Sequence, residues 1–367
     1  MKILQIILSL SSGGAERFVV DLCNELSKNN DVTLLTLKDD KVDVEIRNFY
    51  KFDISERVNY MNLGLGDGFH PLYLIQIYKV IKDFNPDVVH FHGCNMIKYV
   101  YYACLRLGGK IPFVQTIHSD LYYGYTTNFY KLAYHTLALH GRLRWAALSM
   151  TNYNQLKKEY PNAKSCCIFN GRAPMTPTVK FDAVKEEISA LKDNADTKVI
   201  LHVARCSPQK NQKLLISSFN TLREQGRNAI LLIIGAHFDT DEGKQLVAMA
   251  GEGIHFLGTR TNIADYMLNS DFFVLSSSYE GMPITLLEAM LSGTPMVSTP
   301  VTGAVDVING KNGILSKDFT EASYVAALNK MLDNLDQYKA EAMKEKDNSP
   351  YTIKHCTEQY LKFYQER

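Results

Sequence analysis

Short apolar runs alternate with stretches of helical periodicity along the whole chain, and they fall into two series. The first contains ILQIIL (3–8), VTLLTL (32–37), DVVHFHG (87–93), PFVQTIH (112–118), AALSM (146–150) and KSCCIFN (164–170). The second contains KVILHVAR (198–205), AILLIIGA (229–236), GIHFLG (253–258), DFFVLSS (271–277) and TPMVST (294–299). Runs of this kind suit strands buried on both faces by helices such as PLYLIQIYKVIKDF (71–84). Strands alternating with helices imply parallel sheets joined by right-handed crossovers. The polar, Pro-containing stretch GRAPMTPTVKFD (171–182) divides the two series. The expected fold is therefore α/β, with two doubly wound domains. Ligands are expected outside the carboxyl ends of the strands, in the cleft between the domains.

The opening MKILQIILSLSSGGAERF poses a choice between an export signal and a first structural unit. Gln5 and Ser9 interrupt the apolar run, and a single Lys precedes it. A signal core is an uninterrupted apolar stretch, so strand, glycine loop and helix is the better reading. Phe18, Val19, Leu22, Cys23 and Leu26 supply the helical spacing. A cytoplasmic protein is expected. No run of about 20 apolar residues is present to span a bilayer. A net charge of +1 over 367 residues argues against a nucleic-acid partner. Seven irregularly spaced cysteines without a C-x-x-C pair match neither a disulfide framework nor a zinc site.

Several charged residues fall at predicted strand ends of the second series. Arg205 closes the first strand there, and Lys210 follows five residues on, near the next helix. A planar guanidinium fork and a point-charge ammonium in one strand-to-helix loop suit a diphosphate, helped by the helix N-terminus. A solvated surface loop is the competing reading. After the fourth strand comes SSSYEGMPITLLEAMLSG, in which Pro283 reads as the first turn of a helix that Gly293 stops. Glu280 lies before this helix and Glu288 within it. A carboxylate on an apolar helix needs a partner. A sugar diol is one candidate, and a neighbouring backbone group is the other.

Together these pieces resemble retaining glycosyltransferases of family 4 with the GT-B fold. The resemblance rests on GGAER (13–17), TIHSD (116–120), FNGR (169–172), RCSPQK (205–210), FLGTR (256–260) and the E-x7-E stretch EGMPITLLE (280–288), with GTPMVSTPVTGAVDVI and NGKNGIL beyond it. It covers the whole chain. It implies an N-terminal acceptor-side domain (1–172), a linker (173–195), a C-terminal nucleotide-sugar domain (196–347), and a last helix (348–367) crossing back to the first domain. The implied hinge lies near 171–195 and 346–352. Residue by residue, Arg205 and Lys210 would neutralise the leaving diphosphate, aided by helix-start amides at Ile284 and Thr285. Glu288 would hold the ribose hydroxyls, and Glu280 the donor sugar where positive charge develops. Gly14 would allow close approach of the first-domain loop. His118 would bond a donor-sugar hydroxyl, and Arg260 is assigned to the base or diphosphate. No cofactor or metal is expected, only a nucleotide diphosphate sugar, with uridine diphosphate favoured, and a glycan or lipid-linked glycan acceptor. A nucleotide-sugar epimerase and a non-enzymatic two-domain binding protein are the alternatives.

Some features depart from that pattern. Pro283 stands where many relatives have Gly, which removes one amide donor, and Asp306 stands where they usually have Glu. Asp239-Thr240-Asp241 has the spelling of a metal-binding triplet but lies in the wrong sheet. His90 and His92 share a strand face, and strand-end packing is the expectation for them over a metal pair. Charge is unevenly spread: residues 1–172 hold 20 Lys+Arg against 15 Asp+Glu. Between Asp87 and Glu159 the only acid is Asp120, in a span that carries Lys98, Arg106, Lys131, Arg142 and a tyrosine cluster including Tyr122, Tyr123 and Tyr125. Two readings stand for it: contact with an anionic membrane surface, or a core helix with a tyrosine-rich acceptor groove.

Overall fold

Thirteen strands in the computed structural model fall into two parallel sheets, and residues 1–42, 47–118 and 128–366 are described, the side chains of Cys94 and Asn128 excepted. The chain divides into two compact units. One is residues 1–173 with the stretch from Tyr351 onward, and the other is residues 174–350.

The strands of the first unit are β1 (Lys2–Ile7), β2 (Asp31–Lys38), β3 (Val58–Leu65), β4 (Val88–His92), β5 (Phe113–Ile117), β6 (Arg144–Ala147) and β7 (Ser165–Cys167), in the order β3-β2-β1-β4-β5-β6-β7. The chain winds outward from β1 in both directions, so the order reverses between β1 and β4. Ligands of doubly wound sheets collect outside the strand ends at such a point. β1, β4 and β5 are buried along nearly their whole length, as their apolar runs require. β3 at the edge is buried only at its ends, Val58 and Leu65, with the residues between exposed or half-buried, and nothing in its composition separated it from a loop. Trp145 stacks on Tyr160 at 5.5 Å between centroids, closing the core under β6. The helix Ile353–Gln365 also belongs to this unit, with Cys356, Tyr360, Phe363 and Tyr364 buried.

The second unit repeats the plan with β8 (Lys198–Val203), β9 (Ala229–Ile234), β10 (Ile254–Gly258), β11 (Phe272–Leu275), β12 (Met296–Ser298) and β13 (Gly313–Leu315), in the order β10-β9-β8-β11-β12-β13. Its reversal lies between β8 and β11. Within 173–195, the stretch read from sequence as a linker, residues Phe181–Leu191 form a helix that buries Val184 and Ile188. The helix Ile284–Ser292 is buried on every side, and Gly293 stops it at φ 74°, a left-handed conformation that glycine adopts without a Cβ penalty. Pro283 is not inside this helix as the sequence suggests. It is the extended residue just before it, with ψ 116°.

Candidate functional site

The two strands that flank the reversal in the second unit deliver the charged residues. β8 runs into the loop 204–211, and β11 runs into the loop 276–283. Backbone and side-chain hydrogen bonds stitch the loops together. The Ser278 N–H donates to the Gln209 carbonyl at 2.8 Å, and the Ser276 hydroxyl donates to the Lys210 carbonyl at 2.8 Å. The Lys210 ammonium thereby reaches Glu280, with Nζ 2.5 Å from Oε1. The same carboxylate oxygen accepts from the Ser277 hydroxyl at 2.7 Å, and Oε2 accepts from the Gln209 side-chain amide at 3.3 Å. Glu280 is buried and Lys210 partly so. A carboxylate in such a place needs several donors, and it has them. Gly303 supports this loop from behind. It sits at φ 80°, and a Cβ there would lie 2.3 Å from the Gly281 carbonyl oxygen.

Arg205 is exposed at the mouth of this site. Its carbonyl accepts from the Gln212 side chain at 2.9 Å, and the next N–H, of Cys206, donates to Ala236 at 2.8 Å, so its backbone is anchored. The helix Ile284–Ser292 points its start at the same loop, and no side chain caps it. The amides of Ile284 and Thr285 belong to the first turn, whose N–H groups lack partners within a helix. Glu288 is buried one turn further along the helix. His202, buried in β8, has its Nδ1 3.0 Å from the Val274 carbonyl. Burial, aided by the Lys210 cation, pushes its pKa down to about 4.

Arg260 follows β10, the edge strand, away from the β8–β11 reversal. Its guanidinium donates to the Tyr266 hydroxyl at 2.8 Å and to Glu187 at 3.2 Å. Tyr266 donates in turn to Glu187 at 2.6 Å. Arg260 thus fastens the helix Phe181–Leu191, a structural role that its place after FLGT does not disclose. Thr240 of the Asp-x-Asp triplet caps the helix Asp241–Met249, accepting from the Gly243 N–H at 3.1 Å.

In the first unit, Gly14 is the exposed first residue of the helix Gly14–Leu26, directly after β1 and its loop. His118 follows β5, and its Nε2 lies 3.1 Å from Nδ1 of His92 at the end of β4. Phe18 meets the His118 ring edge-on at 5.7 Å. His90 and His92 have both ring nitrogens engaged: His90 by Tyr364 and Thr116, His92 by Gln5 and His118. Gln5 and Tyr364 carried no signal in the sequence, because their partners are remote along the chain. Ser277 and Gln209 stood inside quoted motifs, but their role as donors to Glu280 appears only in three dimensions. Asp120, Tyr122, Tyr123 and Tyr125 lie outside the described residues.

Two family models match the chain in succession. Residues 12–171 match Glycosyltransferase Family 4, and residues 184–348 match the glycosyl transferases group 1. An uncharacterised glycosyltransferase of Methanocaldococcus jannaschii is 30% identical over 274 residues, covering 67% of each chain. The chain belongs to glycosyltransferase family 4. A galactosyltransferase of Escherichia coli, named for transfer from UDP-Gal to a GlcNAc-diphosphoundecaprenol, is 27% identical to this glycosyltransferase over 258 residues. That match spans 67% of the present chain and 64% of the relative's own length. Among solved structures, Anabaena HepE in complex with UDP superposes with a TM-score of 0.78 at 18% identity, covering 99% of both chains. A glycosyltransferase of Rickettsia africae gives 0.79 at 19%, covering 99% of this chain and 97% of its own. These likenesses show the fold, which is GT-B.

Proposed function

We propose that this glycosyltransferase moves a hexose or N-acetylhexosamine from a uridine diphosphate sugar to a hydroxyl of a glycan or lipid-linked glycan, with retention of configuration, in cell-surface polysaccharide assembly. The observation that carries the reading is the set formed by Lys210, Glu280, the exposed Arg205 and the uncapped start of Ile284–Ser292. All lie at the reversal point between β8 and β11, where a doubly wound sheet takes its ligand. The HepE complex with UDP supports the choice of base, and the E. coli relative's printed acceptor supports a lipid-linked one.

The chemistry follows from charge. The bond from the anomeric carbon to the phosphate oxygen breaks, and its electron pair leaves with the diphosphate. Arg205 and Lys210 neutralise that growing charge from fixed positions, which lowers the barrier without a metal ion. The acceptor oxygen bonds the anomeric carbon from the face the diphosphate leaves, and the acceptor's proton passes to the departing phosphate oxygen. Glu280 faces the carbon side, where the ring becomes cationic. Glu288 takes the two ribose hydroxyls, and the family resemblance also assigns Gly14 and His118 to the donor.

A thermal-shift panel tests the donor assignment. Ligand at 100 times Kd should raise stability by about 2.7 kcal/mol. UDP and UDP-sugars should shift the melting temperature well beyond GDP, and Glu288→Ala should lose most of that gain. Equal shifts for parent and variant would remove the ribose assignment.

The acceptor side makes its own demand. On the helix Asn128–Leu139, Phe129, Leu132 and Leu139 are exposed, Leu139 to 71%, and Lys131 stands beside them. Their spacing puts the three apolar residues on one face. No helix among the described residues is long and apolar enough to cross a membrane. An exposed apolar face beside cations suits an anionic leaflet that carries a lipid-linked acceptor. The parent should float with anionic vesicles at low salt, and the Leu132→Asp/Leu139→Asp double variant should stay in the pellet fraction. A parent that does not float removes the membrane contact.

A further inference from the structure

The histidines that looked like strand packing form one continuous hydrogen-bonded line through the first unit, and it ends at His118. The Tyr364 hydroxyl lies 2.7 Å from His90 Nδ1 and 3.1 Å from Gln5 Nε2. Gln5 Oε1 lies 2.8 Å from His92 Nε2, and His92 Nδ1 lies 3.1 Å from His118 Nε2. At the other end, His90 Nε2 lies 2.7 Å from the Thr116 hydroxyl, which meets the Tyr360 hydroxyl at 2.7 Å. Gln5, His90, His92 and Thr116 are buried, as are both tyrosines. No carboxylate or ammonium takes part in any of these bonds.

The direction of the line can be worked out. Burial holds all three rings neutral, so each carries one N–H. A phenol is a far stronger acid than an aliphatic hydroxyl, so Tyr364 donates its short bond to His90 Nδ1. The Tyr364 oxygen then accepts from the Gln5 amide N–H, which turns the Gln5 carbonyl to His92. His92 Nε2 must donate to that carbonyl, and its Nδ1 is left bare. A bare Nδ1 accepts, so His118 donates from Nε2. We propose that the Tyr364–Gln5–His92 line fixes the tautomer of His118, leaving its Nδ1 as an acceptor that takes a sugar hydroxyl as donor. The hydroxyl part rests on the transferase reading; the tautomer part does not. Gln5, His92 and Tyr364 are positioning residues, acting only through His118.

The tautomer is directly observable. In the full chain with 15N-labelled histidine, long-range proton–nitrogen correlation distinguishes the protonated ring nitrogen from the bare one. Signals are assigned by their loss in His118→Gln and His92→Asn proteins. The expected result in the ligand-free protein is a protonated Nε2 and a bare Nδ1 at His118. Turning the Gln5 amide over would reverse every bond in the line, so a protonated Nδ1, or an even mixture, overturns the proposal. Gln5→Leu should let the His118 tautomers mix and lower kcat about tenfold or more, as for one lost hydrogen bond. His92→Asn keeps an oxygen acceptor near the Nδ1 position, so it should hold the parent tautomer and retain more turnover than His92→Leu. A Gln5→Leu protein that folds and keeps the parent tautomer overturns the proposal. If that variant does not fold, the parent spectrum alone decides. A wrong tautomer would leave the transferase reading standing, and absent UDP binding would leave the tautomer standing.

Discussion

Lys210→Ala should lower kcat/KM by about 10²–10³ and weaken UDP binding about tenfold or more, whereas Glu280→Gln should lower turnover while holding UDP as well as the parent or better. The two side chains form one ion pair at 2.5 Å, so a purely structural pair would give two variants alike. The opposite effects on UDP come from charge. On the proposed reading Lys210 is a cation that meets the diphosphate, and its loss would leave Arg205 and the helix start alone against the phosphate charge. Glu280 is an anion that holds the Lys210 ammonium in the resting protein. Its replacement by a neutral amide would free that ammonium and remove a repulsion, yet on the proposed mechanism it would also remove the negative charge placed beside the reacting sugar. Stability should separate the variants less than activity does. In Lys210→Ala the Glu280 carboxylate still accepts from Ser277 and Gln209, so it is not left bare. Steady-state kinetics and UDP titration on both proteins check the split, with turnover of the parent measured in chelator as the control for a hidden metal requirement. Equal losses of UDP affinity in both would show that the pair is structural.

The double series of parallel strands was legible because β1, β4, β8, β9 and β11 are buried on both faces, and burial leaves an unbroken apolar run in the sequence. Edge positions leave no such mark. β3 spells VNYMNLGL with only its end residues buried, and β13 is only three residues long. The helix Phe181–Leu191 was hidden by the Pro174 and Pro177 that precede it, which made the stretch read as linker. The site was legible in part for a related reason. Lys210 and Glu280 stand in the loops that follow strands, and strand ends are where these sheets bind. Partners were illegible. Nothing local says that Arg260 is held by Glu187, 73 positions away, or that His90 is bonded to Tyr364, 274 positions away. Spacing along one strand identified a shared face for His90 and His92, but only the fold supplies what that face meets.

Buried histidines also set how the protein responds to acid. Between pH 7 and pH 5 both units should lose stability, the first more than the second. Burial lowers His90 and His92 well below the ordinary imidazole range and pushes His118 down to about 3; His202 falls to about 4. In the unfolded chain each returns to about 6.5. The sign follows: the unfolded state binds protons that the folded state refuses, so the stabilisation is complete above about pH 6.5 and declines as pH falls toward each folded value. A histidine that takes up no proton in the fold at pH 5 contributes at most about 2 kcal/mol to that loss, since the gap from 6.5 is about 1.5 units. Three such residues sit in the first unit; the second holds His202 and also His255, which burial lowers against the pull of Asp193, and a domain holds only about 5–15 kcal/mol in total. Carboxylates act lower. Burial works against the charge of Asp40 and Asp265, but their hydrogen bonds together outweigh it and hold both below the ordinary range. Their contributions therefore persist until the pH falls below about 4. Urea melts at pH 7 and pH 5 check the prediction, with His202→Asn expected to flatten the slope of the second unit alone. Stability that stays level across that interval would mean the rings take up protons inside the fold. Protonation there would turn His92 Nδ1 from acceptor to donor and break its bond to His118, so the His118 acceptor would then be lost as the pH falls below about 6.5.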